Sequence, residues 1–169
     1  MLANVAINSA TPLQGGNYLT ELLSRIENAT SRVWAAVFLV ELRLESDASE
    51  EVRLVMNALR RAAWRNVDVK LLIGYSRIFD IELSANVTLH YAQSIGIDCR
   101  ILGKPGTPGA TKQLHSKYVL IDNDISIIGG HNWSTVGFQE SNQASISLRS
   151  EALTDWLAGS FQEHWELTE

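Results

Sequence analysis

The chain has 169 residues, with 14 basic against 19 acidic side chains, a formal net charge of −5, and 46% hydrophobic and 20% charged residues. That is the length of one domain and the composition of a folded protein, so disorder is excluded and a sizeable core is expected. The balance excludes a polybasic coat for nucleic acid or membrane but leaves room for a local basic site, because net charge does not say where charges sit.

Taken in order, residues 3–9 alternate and are read as a strand. Gly15, Gly16 and Asn17 break the chain, with Asn17 the candidate N-cap of a helix marked by Leu19, Leu22, Leu23 and Ile26. Residues 32–42 form a continuous apolar run, read as a buried strand. The polar stretch 45–50 is a loop, and Val52, Val55, Met56, Leu59 and Ala63 mark a second helix. Residues 67–75 are a strand, 84–95 a third helix ended by Gly96, and 97–102 another strand. A Gly/Pro-rich loop at 104–113 carries Lys104 and Lys112. Strand-like stretches follow at 114–122, 125–130 and 144–150. Leu153, Trp156, Leu157, Phe161 and Trp165 close the chain on a helix with both tryptophans on its core stripe. Residues 1–169 therefore read as a single α/β domain, a mixed β-sheet flanked by helices on both faces.

The single cysteine, Cys99, excludes a disulfide framework and any multi-cysteine zinc site, and its apolar surroundings make it a core residue. The first basic residue is Arg25, so no secretory leader is expected and the cytoplasm is the default compartment. No apolar stretch approaches the ~18 residues of a membrane span.

Chemistry concentrates in residues 114–134. His115 and Lys117 lie two apart on an expected strand, which turns both to one side of the sheet. Gly129 and Gly130 end the next strand, where backbone can approach a ligand, and Asn132 follows. An imidazole, an ammonium and an amide suit a phosphoryl group: nucleophile or acid, fixed charge, and hydrogen-bond donor. Spacing alone leaves a second reading open, a surface His–x–Lys pair beside an ordinary turn.

These residues resemble the signature of the phospholipase D superfamily. His115, Lys117, Asp122, Gly129, Gly130 and Asn132 match its pattern H-x-K-x4-D-x6-G-[GS]-x-N at every gap, and Trp133-Ser134 resembles the aromatic–hydroxyl pair that follows. The resemblance implies an αβα sandwich and a phosphodiesterase in which His115 attacks phosphorus and becomes a phosphohistidine. Lys117 and Asn132 would hold the phosphate oxygens, Asp122 would be structural, and neither metal nor other cofactor is expected. Gly130 stands where many relatives carry Ser. Gln143 stands where relatives usually carry an acidic residue that orients the histidine, and Glu140 is the nearby substitute.

The reaction needs a nucleophile and a general acid on opposite sides of phosphorus. His90, His131 and His164 are not followed by a second His–x–Lys pattern. The resemblance implies the arrangement of small single-motif members, which pair two identical chains: a homodimer whose two-fold axis brings two copies of His115 to one site. By analogy to the small single-motif nucleases of that family, the resemblance favours a nucleic acid as substrate and implies a metal-independent endonuclease. A lipid or other phosphodiester, or a catalytically weak phosphate-binding domain, are the alternatives. Lys104 and Lys112 are either steering cations or solvated loop lysines, Trp133 either stacks on substrate or packs beneath the site, and His131 either lines the pocket or faces solvent. Arg60, Arg61 and Arg65 are read as favourable charges at a helix C-terminus.

Overall fold

The computed structural model describes residues 4–43, 49–140 and 142–169, with Glu140 described in its backbone alone. The expected loop at 45–50 thus lies largely outside the described residues. The elements are β1 (Ser9–Gln14), α1 (Gly16–Asn28), β2 (Arg32–Val37), α2 (Glu50–Trp64), β3 (Asp68–Gly74), α3 (Phe79–Ser94), β4 (Asp98–Leu102), β5 (Lys117–Ile121), β6 (Ile125–Gly129), β7 (Ala144–Arg149) and α4 (Glu151–Glu166). A short π-helical turn, Val136–Glu140, precedes β7 and has no counterpart in the sequence reading.

The strands form one seven-stranded sheet in the order β1-β7-β6-β5-β2-β3-β4. β2, β3 and β4 are parallel, and β5, β6, β7 and β1 pair antiparallel. The mixed α/β sheet expected from the sequence is the one observed. Side-chain alternation sorts the strands between two cores. Val33, Ala35, Val37, Leu71, Ile73, Val119, Ile121 and Ile127 join the layer made by α1, α2 and α3. Ala36, Leu72, Tyr118 and Leu120 pack under α4 through Leu157, Ala158, Phe161 and Trp165.

Several boundaries differ from expectation. The first strand is Ser9–Gln14 rather than 3–9, because its register on β7 runs from Ser9↔Arg149 to Gln14↔Ala144. Pro12 is tolerated there because β1 is an edge strand. Asn17 is not the N-cap: Gly15 occupies that place, and the Asn17 side chain accepts from Gln14 N at 2.6 Å. β2 stops at Val37 instead of 42, α3 starts at Phe79 instead of 84, and β5 starts at Lys117 instead of 114. Trp156 is not core but 67% exposed, since it lies beside the Leu157–Phe161–Trp165 row and not on it. Arg61 pairs with Glu27, and Arg65 Nη2 donates to Ile26 O at 2.9 Å, so the basic end of α2 meets the C-terminal end of α1.

Asp122 closes the β5–β6 hairpin with a left-handed φ of 51°, a conformation Asp tolerates better than most residues. Its carboxylate accepts from the backbone N–H groups of Thr30 (3.0 Å), Ser31 (2.7 Å) and Arg32 (3.2 Å) and from the hydroxyls of Thr30 (3.2 Å) and Ser31 (2.9 Å). Partial burial alone would raise this carboxyl, but the donors from Ser31, Thr30 and Arg32 outweigh it and hold it below the usual range.

The expected result for Asp122→Ala is a loss of about 2–3 kcal/mol, because these donors lose a charged acceptor. Thermal unfolding should fall by several degrees. A carboxyl held low stabilises above its unfolded pKa and loses that contribution as pH falls through its folded value. Melting curves of Asp122→Asn should therefore show a shallower acid-side decline than the wild type.

Candidate functional site

The site lies at one end of the sheet, where β2, β3, β4 and β6 finish and β5 and β7 begin. Its foundation is the segment leaving β2. Gly74 N donates to Phe38 O at 3.1 Å. A Cβ on Gly74 would fall 2.7 Å from the Phe38 ring and 2.9 Å from Leu114 O, so only glycine lets these backbones meet. Phe38 is thereby fixed as a platform. The His115 ring sits over it with centroids 5.0 Å apart and planes at 40°, and the Lys117 ammonium lies 5.5 Å from its centre.

His115 is not on the strand but two residues ahead of it, exposed. It still meets Lys117, by a different route from strand alternation: Lys117 Nζ donates to His115 O at 2.8 Å. Lys117 opens β5 opposite Val37 of β2. It is half-buried, and that desolvation pushes its ammonium below the ordinary lysine range.

The second half of the site arrives on β6. Tyr118 pairs with Ile128, so the hairpin brings Gly129 level with Lys117. Gly129 pairs with Ser145. A Cβ there would lie 2.1 Å from Ser145 Oγ and 2.4 Å from Ser145 Cα. Gly130 is different: the nearest atom to its hypothetical Cβ is Ala144 O at 3.6 Å, an ordinary contact. The turn beyond is held by Gly130 N to Ala144 O and Trp133 N to Leu39 O, both 2.9 Å, and by Glu41 N to Trp133 O at 2.7 Å. Asn132 is half-buried on this turn. Its Oδ1, like Oε1 of Gln143, is buried with no hydrogen-bond partner among the described residues. Gln143 packs beside Gly130, with its Cβ 3.7 Å from that glycine's hypothetical Cβ. The side chain of Glu140 lies outside the described residues.

The supporting predictions divide. Asp122 sits at the opposite end of β5 and serves the hairpin. Trp133 is fully buried and donates to the Tyr18 hydroxyl at 3.3 Å, so it packs beneath the site and has no face to offer a substrate. His131 is 1% exposed and neither lines an open pocket nor faces solvent. Lys104 is exposed on a cleft of about 400 Å³ along the β4 edge, shared with Arg100, Leu89 and Glu169, and that lining does not include the motif. Lys112 is exposed three residues ahead of His115. Among the described residues, no group of three His, Cys, Asp or Glu side chains converges as a metal site does. Phe38, Gly74 and Tyr18 escaped the sequence reading. Gly74, a glycine ending an apolar strand, carried a signal; the other two did not.

A family profile described as cardiolipin synthase, PLD-like domain, matches residues 22–165. Among solved structures, the chain is similar to Nuc, a phospholipase D family member from Salmonella typhimurium, at TM-score 0.70 and 19% identity over 95% of this chain and 97% of that one. NucT from Helicobacter pylori gives a TM-score of 0.73 at 17% identity over 94% and 96%. Phosphatidylserine synthase from Haemophilus influenzae gives 0.64 at 15% over 92% of this chain but 37% of that one. At these identities the likeness is one of fold. No curated protein sequence matches.

The two glycines should separate on substitution. Gly129→Ala must move Ser145 backbone and should cost more than about 2 kcal/mol, whereas Gly130→Ala should stay within about 1 kcal/mol. Urea unfolding midpoints measure both; equal losses would contradict the close approach at Gly129.

Proposed function

The chain belongs to the phospholipase D-like family, and on that premise we propose that it is a phosphodiesterase working through a phosphohistidine on His115. The observation that carries this reading is the exposed imidazole of His115, braced on Phe38 beside a half-buried Lys117, with Asn132 on the turn that β6 brings alongside. A ring nitrogen of His115 attacks phosphorus and the bond to the leaving oxygen breaks. Lys117 supplies positive charge to the non-bridging oxygens and the Asn132 amide donates to them. Water then attacks the phosphohistidine, releasing a phosphomonoester and free imidazole.

The leaving oxygen needs a proton, and among the described residues no second exposed histidine stands at this end. His131 is buried, His90 stands about 16 Å down α3 from its start, and His164 belongs to α4 on the other face of the sheet. A second copy of the chain, related by a two-fold axis, would present its own His115 as the acid that protonates the leaving oxygen and then takes a proton from the attacking water. Gln143 can fix the orientation of an imidazole through its amide but cannot supply a carboxylate's charge.

A nucleic acid is the diester that best fits an open site. His115 is exposed, and a polymer backbone can pass over the sheet end without entering an enclosed pocket. No described helix is long and apolar enough to cross a membrane. A lipid diester is the second reading, favoured by Ile78, Phe79 and Leu83, exposed at 63%, 74% and 51% where β3 leads into α3.

Plasmid, single-stranded DNA, RNA, phospholipid vesicles and bis-p-nitrophenyl phosphate, each incubated with EDTA, separate these readings. Hydrolysis should survive chelation and fall at least about a thousandfold in His115→Ala. Light scattering should give twice the chain mass, and a fully active monomer would remove the shared site. A folded dimer inert to every substrate would leave a phosphate-binding domain. The alkaline limb of the pH profile should come below the ordinary lysine value of about 10.4, because Lys117 must keep its proton and burial weakens its hold. Lys117→Arg should shift that limb upward, whatever it does to the rate.

A further inference from the structure

His131 occupies the one position between Gly130 and Asn132, and its side chain turns into the core. It is 1% exposed. Its ring lies flat on Tyr18 of α1, centroids 4.1 Å apart and planes 6° from parallel. Its Nδ1 is 2.7 Å from Oγ of Ser145 on β7, while Nε2 is buried with no partner among the described residues. Burial holds the imidazole below its ordinary range, so it is a neutral ring at physiological pH. The groups against it are the Tyr18 ring and the Ser145 hydroxyl, neither of them charged at that pH.

These contacts tie together three parts of the site. Ser145 is the residue whose backbone Gly129 approaches so closely that no Cβ fits. Tyr18 also takes the indole N–H of Trp133 at 3.3 Å, so one ring on α1 pegs the residues on both sides of Asn132. Backbone hydrogen bonds fix the turn at Gly130 and at Trp133. Between these two fixed points the His131 ring is held by Tyr18 and Ser145. The Asn132 carbonyl itself is packed where a Cβ on Gly137 would be 2.4 Å away, which leaves little room for drift.

The geometry points to His131 as a positioning residue for Asn132: its ring, held between Tyr18 and Ser145, sets the turn so that the Asn132 amide meets the phosphate oxygens. The inference rests on the phosphodiesterase reading above, since it gives Asn132 its task. A ring that merely fills volume would affect stability when removed and leave the turnover of folded enzyme alone. A positioning ring affects turnover through Asn132, because displacement of a catalytic group by about 1 Å costs on the order of a hundredfold in rate.

The experiment compares wild type, His131→Ala, His131→Phe, Asn132→Ala and the double variant His131→Ala/Asn132→Ala. The readout is kcat and KM on the substrate that wild type hydrolyses, normalised to folded protein. His131→Ala should lower kcat by about 10–100-fold with a smaller change in KM. His131→Phe keeps the stack on Tyr18 and should recover most of that loss, which also covers the case in which the alanine variant folds poorly. In the Asn132→Ala background, removing His131 should cost less than about threefold more, because the group it positions is already gone. Full multiplicative losses in the double variant, or an unchanged kcat in both His131 variants, would overturn the positioning role while leaving the phosphodiesterase reading intact. A wild type that hydrolyses none of the diesters removes that reading and this inference with it.

Discussion

The site depends on the few residues that follow β2. Phe38 to Glu41 run on past the end of β2 yet stay bonded on both sides: Phe38 O accepts from Gly74 N, Leu39 O from Trp133 N, and Glu41 N donates to Trp133 O. Val40 and Trp133 form a parallel bridge there. The two halves of the motif, separated in sequence by the whole β5–β6 hairpin, therefore meet one common segment. His115 and Lys117 lean on Phe38, and the Asn132 turn hangs from Leu39 and Glu41. Loss of close contact at Gly74 would tilt the platform and strain both halves at once.

Much of this was legible in the sequence because the motif's spacing is the dimension of a hairpin. The four residues between Lys117 and Asp122 are the rest of β5, and the return along β6 brings Gly129 level with Lys117. Central strands were legible as well, since burial on both faces leaves continuous apolar runs. What escaped was set by partners distant in sequence. β1 took the register that β7 offered, despite Pro12, because it lies at an edge. β5 begins at Lys117 because β2, its partner, ends at Val37. His115 therefore reaches the site from a loop, and no local pattern distinguishes that from one more strand residue. Trp133 and His131 sit among site residues, and only the fold shows that both dive into the core.

Net charge proves a poor guide to the site. The surface neutralises itself locally through pairs such as Arg25–Glu21, Arg61–Glu27, Arg100–Glu169 and Arg149–Asp124. Exposed pairs of this kind contribute little stability and mostly cancel each other's field. Lys117 differs in both respects: it is half-buried, and its ammonium donates to a carbonyl and not to a carboxylate. Among the described residues no carboxylate pairs with that charge. The −5 of the whole chain and one positive site are therefore compatible.

Strand β5 separates the two kinds of work its motif contains. Lys117 opens the strand and Asp122 follows its last residue, some 16 Å away at the usual rise per residue. At one end a cation has no counter-ion among the described residues. At the other a carboxylate accepts from five donor groups and is held low by them, burial notwithstanding. Had the carboxylate stood near the ammonium, the pair would have neutralised each other and left nothing for a phosphate. The distance that keeps Asp122 away from the proposed phosphate site also keeps it from pairing with Lys117, and the strand between them, buried on both faces, keeps that distance constant.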